Sequence, residues 1–341
     1  MALDRAQLIE LARANARASL NPAKKFSFNG EDLTAEALDK TFNYELNELG
    51  KTPQDFRNNQ NLIFELMEVG LTEVLPVKVL QAYGAFADVK TYGNNDKPIF
   101  KVNISEASKK RAKQFVTKVG LAGRYETFKL DGYQLEVPTS AYGGAARVEW
   151  EELLDGRLTL NDYYQLVLEG LDEAIYREMA KALVSAVTSL QSTNKTTQTG
   201  FVEAEMDKLL QIADSYGKAE IYCTYEFAAT MVPSTGWVSD DMRNQKWNNG
   251  YLGNYKSHRV IVLPQSFEDE TNTKKVLDPS YAWIIPTGTG EKPIKVAMEG
   301  QTIVDEYVNK DRSREIQVYK KIGVGAKITN NICVYKNSSL A

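Results

Sequence analysis

Residues 159–190 read TLNDYYQLVLEGLDEAIYREMAKALVSAVTSL, the longest helical pattern in the chain. Leu160, Tyr164, Val167, Leu171, Ala174, Ile175, Ala182, Leu183, Ala186 and Leu190 recur at spacings of three and four, which draws one apolar stripe along a helix. Thr159, with Asp162 three residues on, is close to a capping box, and a carboxylate in the first turn suits the positive end of the helix dipole. Glu173 stands four residues ahead of Arg177, the favourable order for an ion pair. At about 1.5 Å per residue such a helix runs roughly 48 Å, longer than one compact domain requires. Gly170 in its middle costs about 1 kcal/mol against alanine. Two readings stand: a core helix of an ordinary α+β domain, or a spine crossing an extended subunit.

With 341 residues the chain can bury a sizeable core, as two domains or as one with long excursions. Apolar residues make up 43% and charged residues 25%, with both signs interleaved, so the chain is globular rather than disordered. A net charge of −4 argues against a protein whose main task is gripping nucleic acid. No stretch approaches the ~20 apolar residues of a membrane span, and MALDRAQLIE carries charges where a signal peptide carries its apolar run. A cytosolic chain with no membrane partner is expected. Cys223 and Cys333 form neither a disulfide framework nor a metal spacing, and read as buried small hydrophobes.

Outward from the helix, three shorter helical patterns precede it. Asp4 with Gln7 caps the first, Thr34 the second, and Thr52 followed by Pro53 opens a third that is expected to end at Gly70. Their stripes are narrow, so they must dock on something. From 71 to 150 the pattern turns to strands: LPVKVL (75–80), PIFKVNI (98–104), YETFKL (125–130) and YQLEV (133–137), with Asp131-Gly132 as a hairpin signal. A basic helix over 105–118 interrupts them. After the spine come a helix over 202–216, a strand at 219–223, a short helix at 224–232, and strands at 259–263, 281–285 and 294–297, a compact α/β unit. Residues 239–250 (SDDMRNQKWNNG) read as a polar loop holding one large aromatic, Trp247. Strands at 302–307, 316–324 and 327–335 close the chain, with residues 310–313 linking the first pair.

Motifs for catalysis are scarce. His258 is the single histidine, placed just before an apolar strand, and one histidine with two distant cysteines makes a poor metal set. Residues 288–292 (GTGEK) and 323–327 (GVGAK) lack the strand-to-helix context of a phosphate loop and read as turns. Glu151/Glu152 and Asp240/Asp241 are adjacent pairs that point apart. No catalytic, cofactor-binding or metal residue is assigned. The basic run Lys109, Lys110 and Lys113 is either a solvated helix face or a surface that meets acidic groups on another subunit.

This order, with residues 146–150 (ARVEW) leading into the spine, GYLGNY (250–255) running to VIVLP (260–264), and the ending from 307 to 335, resembles the major capsid proteins of tailed bacteriophages. The resemblance implies an α+β Hong Kong 97-type fold: an N-terminal arm over 1–60, the start of the peripheral domain with an E-loop over about 84–150, and the spine over 157–200. It further implies an axial domain over 201–299 and return strands of the peripheral domain over 300–341. A helical N-terminus departs from a plain extended arm. By the resemblance the chain is a structural protein that self-assembles as hexamers and pentamers into an icosahedral shell around phage double-stranded DNA, without reading its sequence. Scaffolding, portal and decoration proteins are implied partners, no cofactor is needed, and the shell is a virion capsid assembled in the host cytoplasm. An encapsulin-like compartment shell is the alternative, and an α/β enzyme for a small molecule the reading from another class. Lys109, Lys110, Lys113 and Trp247 are the expected assembly contacts.

Overall fold

The Asp4 carboxylate accepts the Gln7 amide at 2.7 Å, and the Gln7 side chain accepts the Asp4 amide at 3.0 Å. This capping box starts α1 (Arg5–Leu20), as the sequence predicts. The computed structural model describes residues 3–114, 118, 129–148, 160–232, 239–288, 291–308, 314–327 and 329–340. After α1 come β1 (Phe26–Phe28), β2 (Glu31–Leu33), α2 (Ala35–Leu49), α3 (Pro53–Tyr83), β3 (Ala87–Tyr92), β4 (Ile99–Val102), α4 (Glu106–Gln114), β5 (Tyr133–Glu136) and β6 (Ser140–Val148). The spine is α5 (Leu160–Ala186), followed by β7 (Lys195–Gln198), α6 (Glu203–Asp214), β8 (Ala219–Cys223), α7 (Tyr225–Thr230) and α8 (Asp240–Asn249). Then come β9 (Asn254–Tyr255), β10 (His258–Val262), β11 (Tyr281–Pro286), β12 (Ile294–Val308), β13 (Arg314–Ala326) and β14 (Cys333–Asn337).

The chain forms two compact units. The first gathers Met1–Pro98, Val137–Tyr176 and Val296–Val324, the second Ile99–Glu136, Arg177–Lys295 and Gly325–Ala341. In the first unit α1 packs along α3, burying Leu8, Leu11, Ile63, Leu66 and Met67. Arg5 grips Glu65 with two hydrogen bonds, at 2.9 and 3.0 Å, and Arg13 and Arg17 both reach Glu73. These pairs are exposed and screened by solvent, so burial holds the helices together. The sheet runs β3-β12-β13-β6, with β13 and β6 antiparallel from Arg314↔Val148 to Ile322↔Ser140. From α3, Thr72 and Glu68 accept the backbone amides of Thr302 at 3.1 Å and Val304 at 2.9 Å, so the helix satisfies strand donors. Burial raises the Glu68 pKa against the opposing pull of the Val304 amide.

The second unit holds a six-stranded mixed sheet in the order β7-β14-β11-β8-β10-β9. Its core joins Leu209 and Leu210 of α6, Ile221, Phe227, Tyr255, Val260, Ile284 and Tyr335. The Tyr335 hydroxyl donates to Gly200 O at 2.9 Å and accepts the Val202 amide at 2.8 Å, tying the chain entering α6 to β14. Cys223 and Cys333 are buried free thiols, as the sequence predicts.

Several expectations are corrected. Residues 75–80 are helix, not strand: α3 continues through Gly70 and Pro76 to Tyr83. Leu71, Val74, Leu75 and Val79 are buried at helical spacing, and that burial outweighs the breakers. Residues 3–60, by contrast, hold the helix starts that the sequence predicts, packed on one another, with a small hairpin between α1 and α2. Residues 239–250 hold α8 rather than a loop. Strands expected at 294–297 and 302–307 are one strand, β12, which passes through Gly300 at φ +66°, where a Cβ would meet Asn94 Oδ1 at 2.0 Å. The strand expected at 327–335 starts only at Cys333, because β13 runs on to Ala326. The basic helix starts at Glu106 and is described to Gln114. Gly132 precedes β5, whose partner is β4, from Ile99↔Glu136 to Val102↔Tyr133. Most of the strand expected at 125–130, the 310–313 link, Thr159, Glu151/Glu152 and part of the 146–150 and 288–292 motifs lie outside the described residues.

Along α5 the buried positions are Leu168, Leu171, Ile175, Tyr176, Met179, Ala180 and Leu183, with Leu190 beyond the helix end. The expected Val167, Ala174, Ala182 and Ala186 are only half-buried, and beside the first three the larger Leu168, Ile175 and Leu183 are buried instead. Tyr176 stacks on Tyr83 of α3 with centroids 5.3 Å apart, and Asp172 lies 3.6 Å from Lys78. Burial raises the Asp172 pKa, with Lys78 pulling the other way, and its Oδ1 is buried without a hydrogen bond. A carboxyl whose folded pKa exceeds its unfolded one destabilises the fold while ionised, and that penalty fades as the pH falls below both values. Asp172→Asn is therefore expected to raise the denaturation midpoint at pH 7. The gain should shrink toward pH 4 in parallel titrations of both proteins.

Candidate assembly surface

The sequence places Trp247 in a polar run, and the structure shows why that run folds. Ser239 accepts the Met242 amide at 3.3 Å at one end of α8, and the Gly250 amide donates to Lys246 O at 2.8 Å at the other. Gly250 takes φ +79°, and a Cβ there would lie 1.8 Å from the Tyr225 hydroxyl. Asp240 and Asp241 occupy the first turn and Lys246 the last, so charge follows the dipole. None of the ten residues of α8 is buried. Trp247 is 90% exposed, the most open of the large apolar side chains among the described residues. It borders a groove of about 380 Å³ shared with Val232, Met242, Arg243, Lys246, Gly250 and Leu252. A short helix that buries nothing is marginal in water.

The three lysines separate. Lys109 pairs with Glu106 of its own helix at 2.6 Å, and Lys113 is exposed. Lys110 instead points onto its own unit: its ammonium donates to Ser215 Oγ at 2.8 Å and lies 4.1 Å from the centre of the Tyr216 ring. Trp247 and the lysines are not brought together by any contact among the described residues. Sequence reasoning missed the lysines inside the fold. Lys320 is buried, donates to Gly300 O, and is pushed down to about 8 by burial. Lys295, also buried, sits 5.8 Å from the centre of the Phe100 ring. Lys320 shares the parity of the apolar Ile316, Val318 and Ile322 along β13, which marks it as inward-facing, whereas Lys295 stands between Ile294 and Val296 in a run buried at every position, where alternation gives no signal.

Chemistry elsewhere is sparse. Burial pushes both Cys223 and Cys333 up to about 12, so neither thiol offers a thiolate near neutrality. His258 Nδ1 contacts Ala219 O at 3.1 Å, and Nε2 lies 3.5 Å from Asp214, both structural contacts beside β8. No group of metal-ligating side chains is found among the described residues, and no described helix is long and apolar enough to cross a membrane.

The family model described as "SPbeta prophage-derived putative capsid protein YonB" matches residues 23–335, and the chain belongs to that family. No curated protein matches the sequence. Among solved structures, a phage-related protein from Bordetella bronchiseptica RB50 is similar, with a TM-score of 0.50 at 12% identity, covering 81% of this chain and 97% of the other. The bacteriophage PhiM1 mature capsid gives a TM-score of 0.49 at 9% identity, over 76% of this chain and 87% of its own. The capsid of cyanophage P-SCSP1u gives 0.49 at 8% identity, over 75% and 86%. Membership in that family makes the chain a structural capsid protein of a bacteriophage, and its α+β fold is shared with the phage-related Bordetella protein. It assembles into a multimeric shell in the virion, and membership in a structural family implies a non-enzymatic role.

Loss of the Ser239 cap is expected to cost α8 about 1 kcal/mol. Ser239→Ala should therefore speed amide exchange of 240–249 roughly fivefold, read by mass spectrometry, with β8 and β10 unchanged as internal controls.

Proposed function

We propose that α8 is a contact between subunits around the axis of hexameric and pentameric capsomers, and that these capsomers close the shell around phage double-stranded DNA. Trp247 carries the reading, being almost fully exposed on a helix with no buried residue. An aromatic anchor entering a groove on a neighbour is the usual source of concentrated binding energy, and heterologous contacts of this kind close into rings. The DNA is enclosed without sequence reading, in keeping with the net charge of −4. Scaffolding, portal and decoration proteins are further partners, and assembly takes place in the host cytoplasm. The boundaries at 60, 156, 200 and 299 stand as the working division into arm, E-loop, spine, axial domain and return strands. Lys109 and Lys113, on the exposed side of α4, meet carboxylates of an adjacent subunit.

Trp247→Ala is expected to weaken capsomers by about 2 kcal/mol, roughly thirtyfold in subunit affinity. The melting transition of the unassembled chain should not move. A lowered transition, or unchanged assembly, would remove Trp247 from the interface. Lys109→Glu with Lys113→Glu should leave the chain folded, slow particle formation measured by light scattering, and reduce its salt dependence. Normal assembly of that double variant would take the basic face out of the contact.

A further inference from the structure

None of the ten residues of α8 is buried, so the helix has no apolar face to fix its direction. Contacts at its C-terminal end do so instead. Gly250 follows the helix at φ +79°, and a Cβ there would lie 1.8 Å from the Tyr225 hydroxyl oxygen and 2.6 Å from the ring carbon that bears it. The backbone at Gly250 therefore rests directly on the Tyr225 ring, which only a residue without a side chain can do. One residue on, Tyr251 meets the same ring edge-on, with centroids 6.0 Å apart and planes at 87°. Within the helix, Gln245 lies over Gly253, where a Cβ would come 3.1 Å from its amide nitrogen.

Tyr225 is itself held by rigid structure. It is the first residue of α7, directly after Thr224, whose hydroxyl accepts the Phe227 amide at 3.4 Å. Phe227 and Ala228 are buried in the core of the six-stranded sheet, while the Tyr225 side chain stays half exposed beside Gly250. The chain leaving α8 is pinned as well: Leu252 is buried, and the Gly253 carbonyl accepts the Val260 amide at 2.9 Å. Trp247 stands three residues before Gly250, one turn back along the helix, and borders the same groove. A shift of the chain at Gly250 is thus carried to the indole.

We propose that Tyr225 is a positioning residue of the assembly surface: its ring is the seat that sets the direction of α8 and so aims Trp247 at a neighbouring copy of this chain. This rests on the reading of α8 as a contact between subunits. Tyr225 acts through Trp247, so its removal counts only while the indole is present.

The test uses the full chain in a cycle of Tyr225→Ala, Gly250→Ala and the two together. Tyr225→Ala should speed amide exchange of 240–249 in the unassembled chain roughly fivefold, the loss of one aromatic contact, with α6 and β14 unchanged. Gly250→Ala forces a Cβ onto the ring and into left-handed backbone. The backbone strain is the same with or without the ring, so the added methyl should cost less once Tyr225 is alanine. Tyr225→Phe keeps the ring carbons under Gly250 and should lose less than Tyr225→Ala. In particle formation followed by light scattering, Tyr225→Ala should weaken assembly, and in a Trp247→Ala background the same change should add nothing.

Unchanged exchange in Tyr225→Ala, or additive effects in the cycle, overturns the seat. Faster exchange with unchanged assembly removes Tyr225 from the aiming of Trp247, as do additive losses of assembly from Tyr225→Ala and Trp247→Ala. If Trp247→Ala assembles as the native chain does, the contact reading of α8 falls, while the exchange cycle still decides whether the seat exists.

Discussion

Two hydrogen bonds from α3 to β12, Thr72 with the Thr302 amide and Glu68 with the Val304 amide, join the longest helix of the N-terminal region to the longest strand. A strand amide turned away from its sheet must find an acceptor or carry the cost of desolvation. Here the acceptors stand one helical turn apart on α3, so the helix must run straight past the strand. Gly70 lies between the two acceptors, and burial of Leu71, Val74, Leu75 and Val79 carries the helix on past Pro76. α1 packs on the same helix through buried Leu8 and Leu11.

Much of the fold was legible where local chemistry is decisive. Asp4 with Gln7, Thr34, and Thr52 before Pro53 all mark helix starts that the structure shows, each by a side chain accepting a backbone amide. The segment LPVKVL misled because Leu75, Val77 and Val79 alternate like a strand, while the pattern that matters begins earlier, at Leu66 and Leu71. α8 was invisible to apolar periodicity because it has no apolar face, and its only signals were the caps Ser239 and Gly250. Trp247 was legible as the lone aromatic in a polar run. The partner of Lys110 was not, because 105 residues separate it from Ser215 and only the tertiary fold brings them together.

A shell subunit divides its surface between contacts it completes alone and contacts it leaves for a neighbour. The core of the six-stranded sheet and the seam between α1 and α3 are completed, with Ile221, Ile284, Leu11 and Ile63 buried within one chain. α8 is not, and its exposed tryptophan has no intramolecular function that the fold requires. The β4–β5 ribbon and α4 stand between the two: Phe100 is buried beside Lys295, while Lys110 meets Ser215 and Tyr216 through exposed contacts that water and salt weaken. Such a gradation suits a protein that must remain soluble before assembly and bury large surfaces afterwards.

We infer that this chain builds closed shells from rings of identical subunits. Electron cryomicroscopy of the full chain, purified with whatever it assembles upon, tests it directly. The account requires particles whose surface resolves into five- and six-subunit rings with α8 at their centres. A chain that stays monomeric and fully folded at high concentration, or shells with α8 far from every ring axis, would contradict it.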